Sequence, residues 1–224
     1  GLDERWKVSD LKNDDEEEIK DYKSYIDYEL IEIEQYKNRK FKNPKLKRLA
    51  NTYINIQRNE REAIENQDLV DSIFVREWNK YQRKRYELLL DINSIVGIPV
   101  QDKNSLDSIL RAGKAIKEFN RVYGILVDTF NPKNFVVEEV TGVSEKEKRY
   151  IGNFENTTGH YINYIDISID FYDENDKIYS GFQFSPRYAW ENGTKKSFEF
   201  SIPDSDTRFK YFKVNLGEKS FSFK

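Results

Sequence analysis

Residues 162–172 constrain the fold of this chain more than any other segment. From Ile165 to Phe171 every second residue is apolar, and the residues between them are polar. An alternation with a period of two residues predicts a β-strand that is buried on one face. The flanking segments 156–160 and 173–177 are rich in residues that form turns. The chain therefore contains a small antiparallel β region.

Further apolar runs predict the other strands of this region. Pro186 and Pro203 fall between runs, where a missing N–H donor removes no hydrogen bond from a sheet. A possible first strand lies earlier, at residues 134–140. The strands that we expect after Arg149 are residues 150–155, 162–172, 177–184, 196–202, 209–216 and 220–223.

The same region carries a family resemblance. Gly152 precedes an aromatic residue by two positions, a turn of the form Asn-x-x-Gly follows, and the strand ends in Phe171-Tyr172-Asp173 with Lys177 after the next turn. These features resemble the FxLYD domain, with Phe171 where the family has Leu and Ile169 where it has Phe. The resemblance covers roughly residues 148–214.

The FxLYD resemblance implies a small β-sandwich in a surface lipoprotein or secreted protein of Gram-positive bacteria. It leads us to expect an extracellular protein at the cell surface, held to the membrane by a lipid anchor that preceded Gly1 and was removed. The resemblance concerns positions of the core and the turns, so it implies no catalytic chemistry.

Before Asn131 the apolar residues follow a helical period instead. Residues 1–9 are expected to be a ragged lead-in, and Ser9 or Asp10 is expected to cap the first helix. Asn43-Pro44 breaks that helix, because the residue before proline avoids helical angles. Its apolar stripe consists of Ile19, Tyr22, Ile26, Leu30 and Ile33.

Residues 45–96 contain neither glycine nor proline, and apolar residues recur at heptad core positions. Polar residues interrupt the heptad at five core positions. They leave two interpretations, one long helix or two helices that meet near residues 66–68, where Asp68 would be an N-cap. The average helix is far shorter than this interval, which favours two. The polar core positions are Glu60, Gln67, Glu77, Lys84 and Asp91.

A last helix starts at a Ser105 cap and ends at Asn131-Pro132. The predicted fold is α+β in two domains. Residues 1–131 form an antiparallel bundle of three to four helices. Residues 132–148 form a linker with a possible first strand, and residues 149–224 form the β-sandwich.

Composition excludes several kinds of site. The chain has no cysteine, which removes thiol catalysis, disulfides and thiolate metal sites. His160, the one histidine, follows a turn, where an exposed structural role is expected. Asp173–Asp176 supplies crowded carboxylates but lacks the alternating donors and glycine of a calcium loop. We therefore expect no metal, no cofactor and no catalytic residue.

The strongest charged feature is a run of seven cations within residues 37–48 that contains no acidic residue. One interpretation is contact with an anionic surface such as lipid headgroups, a teichoic-acid-like polymer or nucleic acid. The other is a solvated helix end. Few aromatic residues are interleaved and the net charge is −3, so nucleic acid is not expected. The cations are Lys37, Arg39, Lys40, Lys42, Lys45, Lys47 and Arg48.

Tyr188 and Trp190 lie in a loop between Pro186 and Gly193. Aromatic residues in a loop can form a platform for a sugar or a peptide. The alternative is that they anchor the loop on the sheet edge. Both interpretations are open at the level of sequence.

Three function classes compete. The first is a non-catalytic surface module that binds a cell-wall component or another protein. The second is a hydrolase of wall polymers, for which no acidic residue stands in an apolar context that would raise its pKa. The third is a structural spacer or assembly protein, which the polar heptad positions disfavour. We therefore predict the first class, a non-catalytic surface module that binds a cell-wall component or another protein.

Overall fold

A computed structural model describes residues 1–10, 18–65, 72–141, 146–184, 189–217 and 219–224. The fold is α+β, with helices followed by antiparallel strands, as the sequence predicts. The helices are α1 (Leu2–Asp10), α2 (Ile19–Ile33), α3 (Pro44–Ala63), α4 (Ser72–Val96) and α5 (Lys103–Thr129), and the strands are β1 (Val136–Thr141), β2 (Lys146–Glu155), β3 (Ile162–Ile165), β4 (Ile167–Tyr172), β5 (Ile178–Phe184), β6 (Lys195–Pro203), β7 (Tyr211–Asn215) and β8 (Phe221–Phe223).

The start of the chain differs from the prediction. Residues expected to form a ragged lead-in form α1, because Arg5 is buried and forms an ion pair inside the helical region. Ser9 and Asp10 end that helix instead of capping the next one. Glu18 caps α2 in a reciprocal capping box with Asp21. The described part of the helical region therefore has five α-helices where three to four were expected.

Residues 45–96, the interval without glycine or proline, contribute to two helices, which is the interpretation that the sequence favours. Asn43 caps α3 by accepting N–H groups of Lys45 and Leu46, and Pro44 occupies the first turn. α3 ends at Ala63 and α4 begins at Ser72. The proposed junction at residues 66–68, with its Asp68 cap, lies outside the described residues.

The strands form three antiparallel sheets, ordered β1-β2-β6, β3-β8 and β5-β4-β7. The segment expected to be one strand at residues 162–172 is two strands separated at Asp166, whose N–H donates to the carbonyl of Ser220 at 2.6 Å. β3 pairs with β8, whereas β4 pairs with β5 and β7. The predicted alternation holds through both strands, because Ile165, Ile167, Ile169 and Phe171 are all buried.

The turn after β4 is the predicted hairpin. The Asp173 carboxylate accepts the N–H groups of Asn175 and Lys177, each at 2.9 Å. Asp176 has a φ of 59°, which aspartate tolerates better than most residues. The crowded carboxylates at residues 173–176 thus close a turn.

Gly152 lies at a close approach in the β region. A Cβ atom at this position would lie 2.2 Å from the ring of Phe154 and 3.1 Å from that of Phe135. No larger residue fits unless the aromatic rings move. The glycine that contributes to the family resemblance therefore has a packing reason in this chain.

The chain divides into two compact units, Gly1–Glu118 and Phe119–Lys224. The division falls within α5, earlier than the predicted boundary after Asn131. The end of α5 belongs to the C-terminal unit, because Val122 and Leu126 are buried in its main core with residues of β2, β3, β4, β6 and β8. Phe130, which follows the helix directly, is buried in the same core. A helical period shows which residues of a helix are buried, but not which core receives them.

Leu126 and Val127 provide a matched test of this assignment. Leu126 is 1% exposed and Val127 is 43% exposed, although they are neighbours on one helix. We expect Leu126→Ala to lower the free energy of unfolding by about 3 kcal/mol, through lost burial and a cavity. Val127→Ala should change it by less than about 0.5 kcal/mol. Urea unfolding followed by circular dichroism measures both, and equal effects would contradict the assignment of this helix to the core.

Candidate functional site

The most unusual feature of the N-terminal unit is a buried cluster of charged residues. Glu29 of α2 is 1% exposed and lies between two arginines. Arg5 donates to it from Nη1 at 2.8 Å, and Arg85 of α4 donates from Nη2 at 3.2 Å and from Nε at 3.1 Å. The hydroxyl of Tyr53 on α3 also donates to Glu29. Four helices thus contribute to one ion cluster.

The environment keeps Glu29 ionised. Burial alone would raise the pKa of its carboxyl, but the charges of Arg85 and Arg5 and the hydrogen bonds from Tyr53 and Arg85 outweigh it and lower the pKa. Burial also raises the pKa of the Tyr53 hydroxyl, so that this group stays a donor. The cluster is thus a fixed set of charges.

A second acidic residue lies beside this cluster. Glu60 of α3 has no exposed surface, and its Oε1 accepts the amide of Gln82 at 2.6 Å. Its Oε2 and both polar side-chain atoms of Gln57 have no hydrogen-bond partner among the described residues. Burial raises the pKa of Glu60 to about 7, opposed by the charge of Arg5 and the hydrogen bond from Gln82. The expectation that no acidic residue has a raised pKa is therefore wrong.

The raised pKa of Glu60 predicts a specific pH dependence of stability. The folded protein holds a proton on Glu60 up to pH about 7, whereas the unfolded chain releases it near the ordinary value of 4.5. Its contribution is therefore fully present below pH 4.5 and is lost as pH rises through about 7.

We expect Glu60→Gln to stabilise the protein at pH 8 by about 2 kcal/mol. A shift of one pKa unit corresponds to about 1.4 kcal/mol, and the expected value is reduced because the structure relaxes around the charge. The same variant should flatten the decline between pH 5 and pH 8, which chemical unfolding at several pH values measures. A parent protein whose stability is flat over that interval would contradict the burial of this carboxyl.

Two openings flank the ion cluster. The first, here called the apolar pocket, has a volume of about 340 Å³. Glu29 is the one charged side chain among the described residues that line it, and Tyr53 lies beside it. Its apolar lining comes from Leu2, Ile33, Leu46, Ala50, Ile54, Leu89, Ile92, Val96, Ile98 and Pro99, together with Tyr36 and Phe41.

The second opening, here called the polar groove, has a volume of about 410 Å³. Arg5 and Arg85 lie along it, so each opening meets a different side of the ion cluster. The groove also has hydroxyl groups and aromatic rings. Its remaining lining residues are Trp6, Ser9, Tyr22, Tyr25, Trp78, Gln82, Tyr86, Ser105, Ser108 and Ile109.

The run of cations at residues 37–48 is exposed at all seven positions. Arg39 lies over the ring of Tyr36, 4.8 Å from its centroid, and donates to Gln35 at 2.7 Å. No described carboxylate forms an ion pair with any of the seven. Tyr36, Phe41 and Leu46, which lie before or between them in sequence, line the apolar pocket. The structure thus places a basic segment beside an apolar cavity.

The predicted aromatic platform is not formed by Trp190. This residue is 1% exposed and packs against Phe130 and Phe198 in the core of the C-terminal unit. Its indole N–H donates to the carbonyl of Thr194 at 2.9 Å, and its backbone pairs with Ile162. The platform interpretation is therefore wrong for Trp190, and burial of the residue agrees with the alternative, a loop that is anchored on the sheet. Tyr188 lies outside the described residues.

Other candidate positions have structural roles. The ring of His160 lies 4.6 Å from that of Phe223, and its Nδ1 lies 3.0 Å from the carbonyl oxygen of Lys224. Asn156 is buried, and its amide donates to the carbonyls of His160 and Trp190. The described residues contain no group of three or more acidic or histidine side chains arranged to hold a metal ion.

Sequence reasoning found the basic segment but missed the ion cluster. Glu60 is the partial exception, because a charged residue at a heptad core position was visible. Glu29 follows Ile26 by three residues, so it lies on the face of the helix that the apolar stripe buries. Arg85 gave no signal, since it is one of three consecutive basic residues.

No family model, no curated protein and no solved structure matches the chain. Within the described residues, no helix has the length and apolar character needed to cross a membrane.

Proposed function

We propose that the protein is a non-catalytic binding module that captures an anionic amphiphile, a molecule with an acyl chain and a negatively charged headgroup. The acyl chain occupies the apolar pocket and the headgroup lies against the basic segment at residues 37–48. The observation that carries the proposal is that Tyr36, Phe41 and Leu46, neighbours of the cations in sequence, line the pocket.

The chemistry of the two parts is complementary to such a ligand. The pocket volume of about 340 Å³ lies within the range of small-molecule sites, which are mostly apolar with few polar groups. Glu29 is already paired with two guanidinium groups, so it gives the pocket no free negative charge to repel an anion. The exposed cations hold no ion pair with a described carboxylate, and they are free to meet a headgroup.

The proposal also includes the domain architecture and the cellular location of the protein. The resemblance to the FxLYD domain supports a C-terminal β-sandwich and a lipid-anchored location at the outer surface of a Gram-positive cell. The helical period before Asn131 supports a helical bundle ahead of that sandwich. The ligand would then be an anionic lipid or an acylated wall component. The burial of Ile165, Ile167, Ile169 and Phe171 supports the core positions of that resemblance.

The competing classes fit the geometry less well. A hydrolase needs a carboxylate that faces substrate and exchanges protons, whereas Glu29 is held ionised by Arg5 and Arg85. Glu60 has the raised pKa of a general acid but has no exposed surface. A spacer or assembly protein gives no use to an apolar pocket beside a basic segment.

We expect a fluorescent long-chain fatty acid to bind the full chain saturably, with an affinity that falls as salt is added. Replacing Lys40, Lys42, Lys45 and Lys47 with Gln should weaken binding about tenfold, because about 1.4 kcal/mol of attraction is lost. A matched control replaces Lys103, Lys114, Lys177 and Lys195 with Gln. These lysines are exposed but lie outside the basic segment, and their replacement changes the net charge by the same amount. That control should bind like the parent.

A second variant separates insertion into the pocket from attraction to the surface. Ala50 lines the apolar pocket, so Ala50→Phe fills part of it without changing any charge. This variant should lose fatty-acid binding while it keeps weak, salt-sensitive attraction to anionic vesicles. Equal fatty-acid binding by the parent, Ala50→Phe and the four-lysine variant would overturn the proposal.

A further inference from the structure

The polar groove presents positive charge that is buried but still accessible. Arg5 and Arg85 are 6% and 1% exposed, and both line the groove. Arg5 uses Nη1 to bind Glu29, and Arg85 uses Nε and Nη2. The remaining guanidinium nitrogens, Nη1 of Arg85 and Nε and Nη2 of Arg5, donate to no described group.

These nitrogens retain access to the groove. The fully buried polar atoms that lack a partner in the described part of the chain belong to Asn51, Gln57 and Glu60, and the arginine nitrogens are not among them. Two guanidinium groups face one ionised carboxylate, Glu29. A guanidinium with free N–H groups binds a carboxylate strongly, because the planar fork can donate two parallel hydrogen bonds.

The rest of the groove selects the kind of molecule that carries the carboxylate. Trp6 and Tyr86 provide aromatic surface, and Ser9, Ser105 and Ser108 provide hydroxyl groups. An aromatic ring packs against the apolar C–H face of a sugar, while hydroxyl groups exchange hydrogen bonds with its rim. The groove volume of about 410 Å³ is in the range for a small ligand.

We propose that the polar groove is a binding site for an acidic sugar. Arg5 and Arg85 hold the carboxylate of the sugar, and its ring packs on Trp6 and Tyr86. This site is separate from the apolar pocket in position and in chemistry. It does not depend on fatty-acid binding, and the two can be lost independently.

Glucuronate is the probe that tests the site on the full chain. Trp6 and Trp78 line the groove, so binding should change the tryptophan fluorescence saturably at constant ionic strength. Glucose lacks the carboxylate and acetate lacks the ring, so each should bind at least about tenfold more weakly, a difference of about 1.4 kcal/mol.

A variant on α5 provides the control for position. Ser108 is exposed and lines the groove, whereas Asn104 is exposed one turn earlier and does not line it. Ser108→Phe should raise the dissociation constant of glucuronate about tenfold by blocking the groove, and Asn104→Phe should leave it within about twofold. Both should melt close to the parent.

Absence of a saturable change with glucuronate would overturn the proposal. So would glucose or acetate binding as tightly as glucuronate, or Ser108→Phe binding as tightly as Asn104→Phe.

Discussion

Replacing Glu29 with glutamine should lower the free energy of unfolding by about 3–5 kcal/mol, the usual cost of leaving a buried charge without its partner. The change keeps the size of the side chain but removes the carboxylate that, among the described residues, accepts hydrogen bonds from both Arg5 and Arg85. Two guanidinium groups would then remain buried without the counter-charge of Glu29. Chemical unfolding monitored by helical circular dichroism measures the loss.

Asp27→Asn is the matched control on the same helix. Asp27 pairs with Arg61, but their side chains are 47% and 30% exposed. An exposed ion pair contributes only about 0–1 kcal/mol, because water and salt screen it. Similar losses for the two variants would show that Glu29 is not buried between the arginines.

The pH dependence of the Glu29 contribution has the opposite sign to that of Glu60. The pKa of Glu29 is lowered in the folded protein, so its contribution is present above the ordinary value of 4.5 and is lost as pH falls through the folded value. Glu29→Gln should therefore remove part of the acid sensitivity of the protein. Glu60→Gln should instead remove part of the decline above pH 5.

The elements that the sequence predicts well are those whose burial follows a simple period. The alternating burial of β4 and the Asp173 turn depend on neighbouring residues alone. Local patterns of this kind are present in the sequence itself, and no knowledge of distant contacts is needed to interpret them.

The features that sequence reasoning missed depend on contacts between distant residues. Arg5 orders α1 by pairing with Glu29, and no local pattern around residue 5 indicates that pair. Asp166 separates β3 from β4, whose partners β8, β5 and β7 all come later in the chain. Trp190 is buried through contacts with Phe130 and Phe198, which a loop composition does not indicate.

The same limit applies to the candidate sites. The cations at residues 37–48 were visible because charge runs are local. The apolar pocket beside them and the polar groove are formed by several helices each, so neither is visible before the helices are packed. The raised pKa of Glu60 likewise results from burial, which the sequence indicates only through its heptad position.

A second large effect is expected in the core of the C-terminal unit. Ile167 is 2% exposed at the start of β4 and packs in the main core with Phe154 and Phe198. Ile167→Asp places a charge there with no partner. An aspartate in that position should cost about 4 kcal/mol or more, because uncompensated burial of charge is among the most destabilising changes.

Ser168→Asp tests the other face of the same strand. Ser168 is partly exposed, and its backbone pairs with Gln183 of β5 and Asn215 of β7. Its side chain points away from the core, so the substitution should cost about 0.5 kcal/mol or less. Thermal melting of the two variants gives the comparison directly. A shift of one residue in register would exchange the two faces and reverse the result. Equal melting temperatures would show that β4 is not buried on one face, and the resemblance to the FxLYD domain would then lose the core positions that support it.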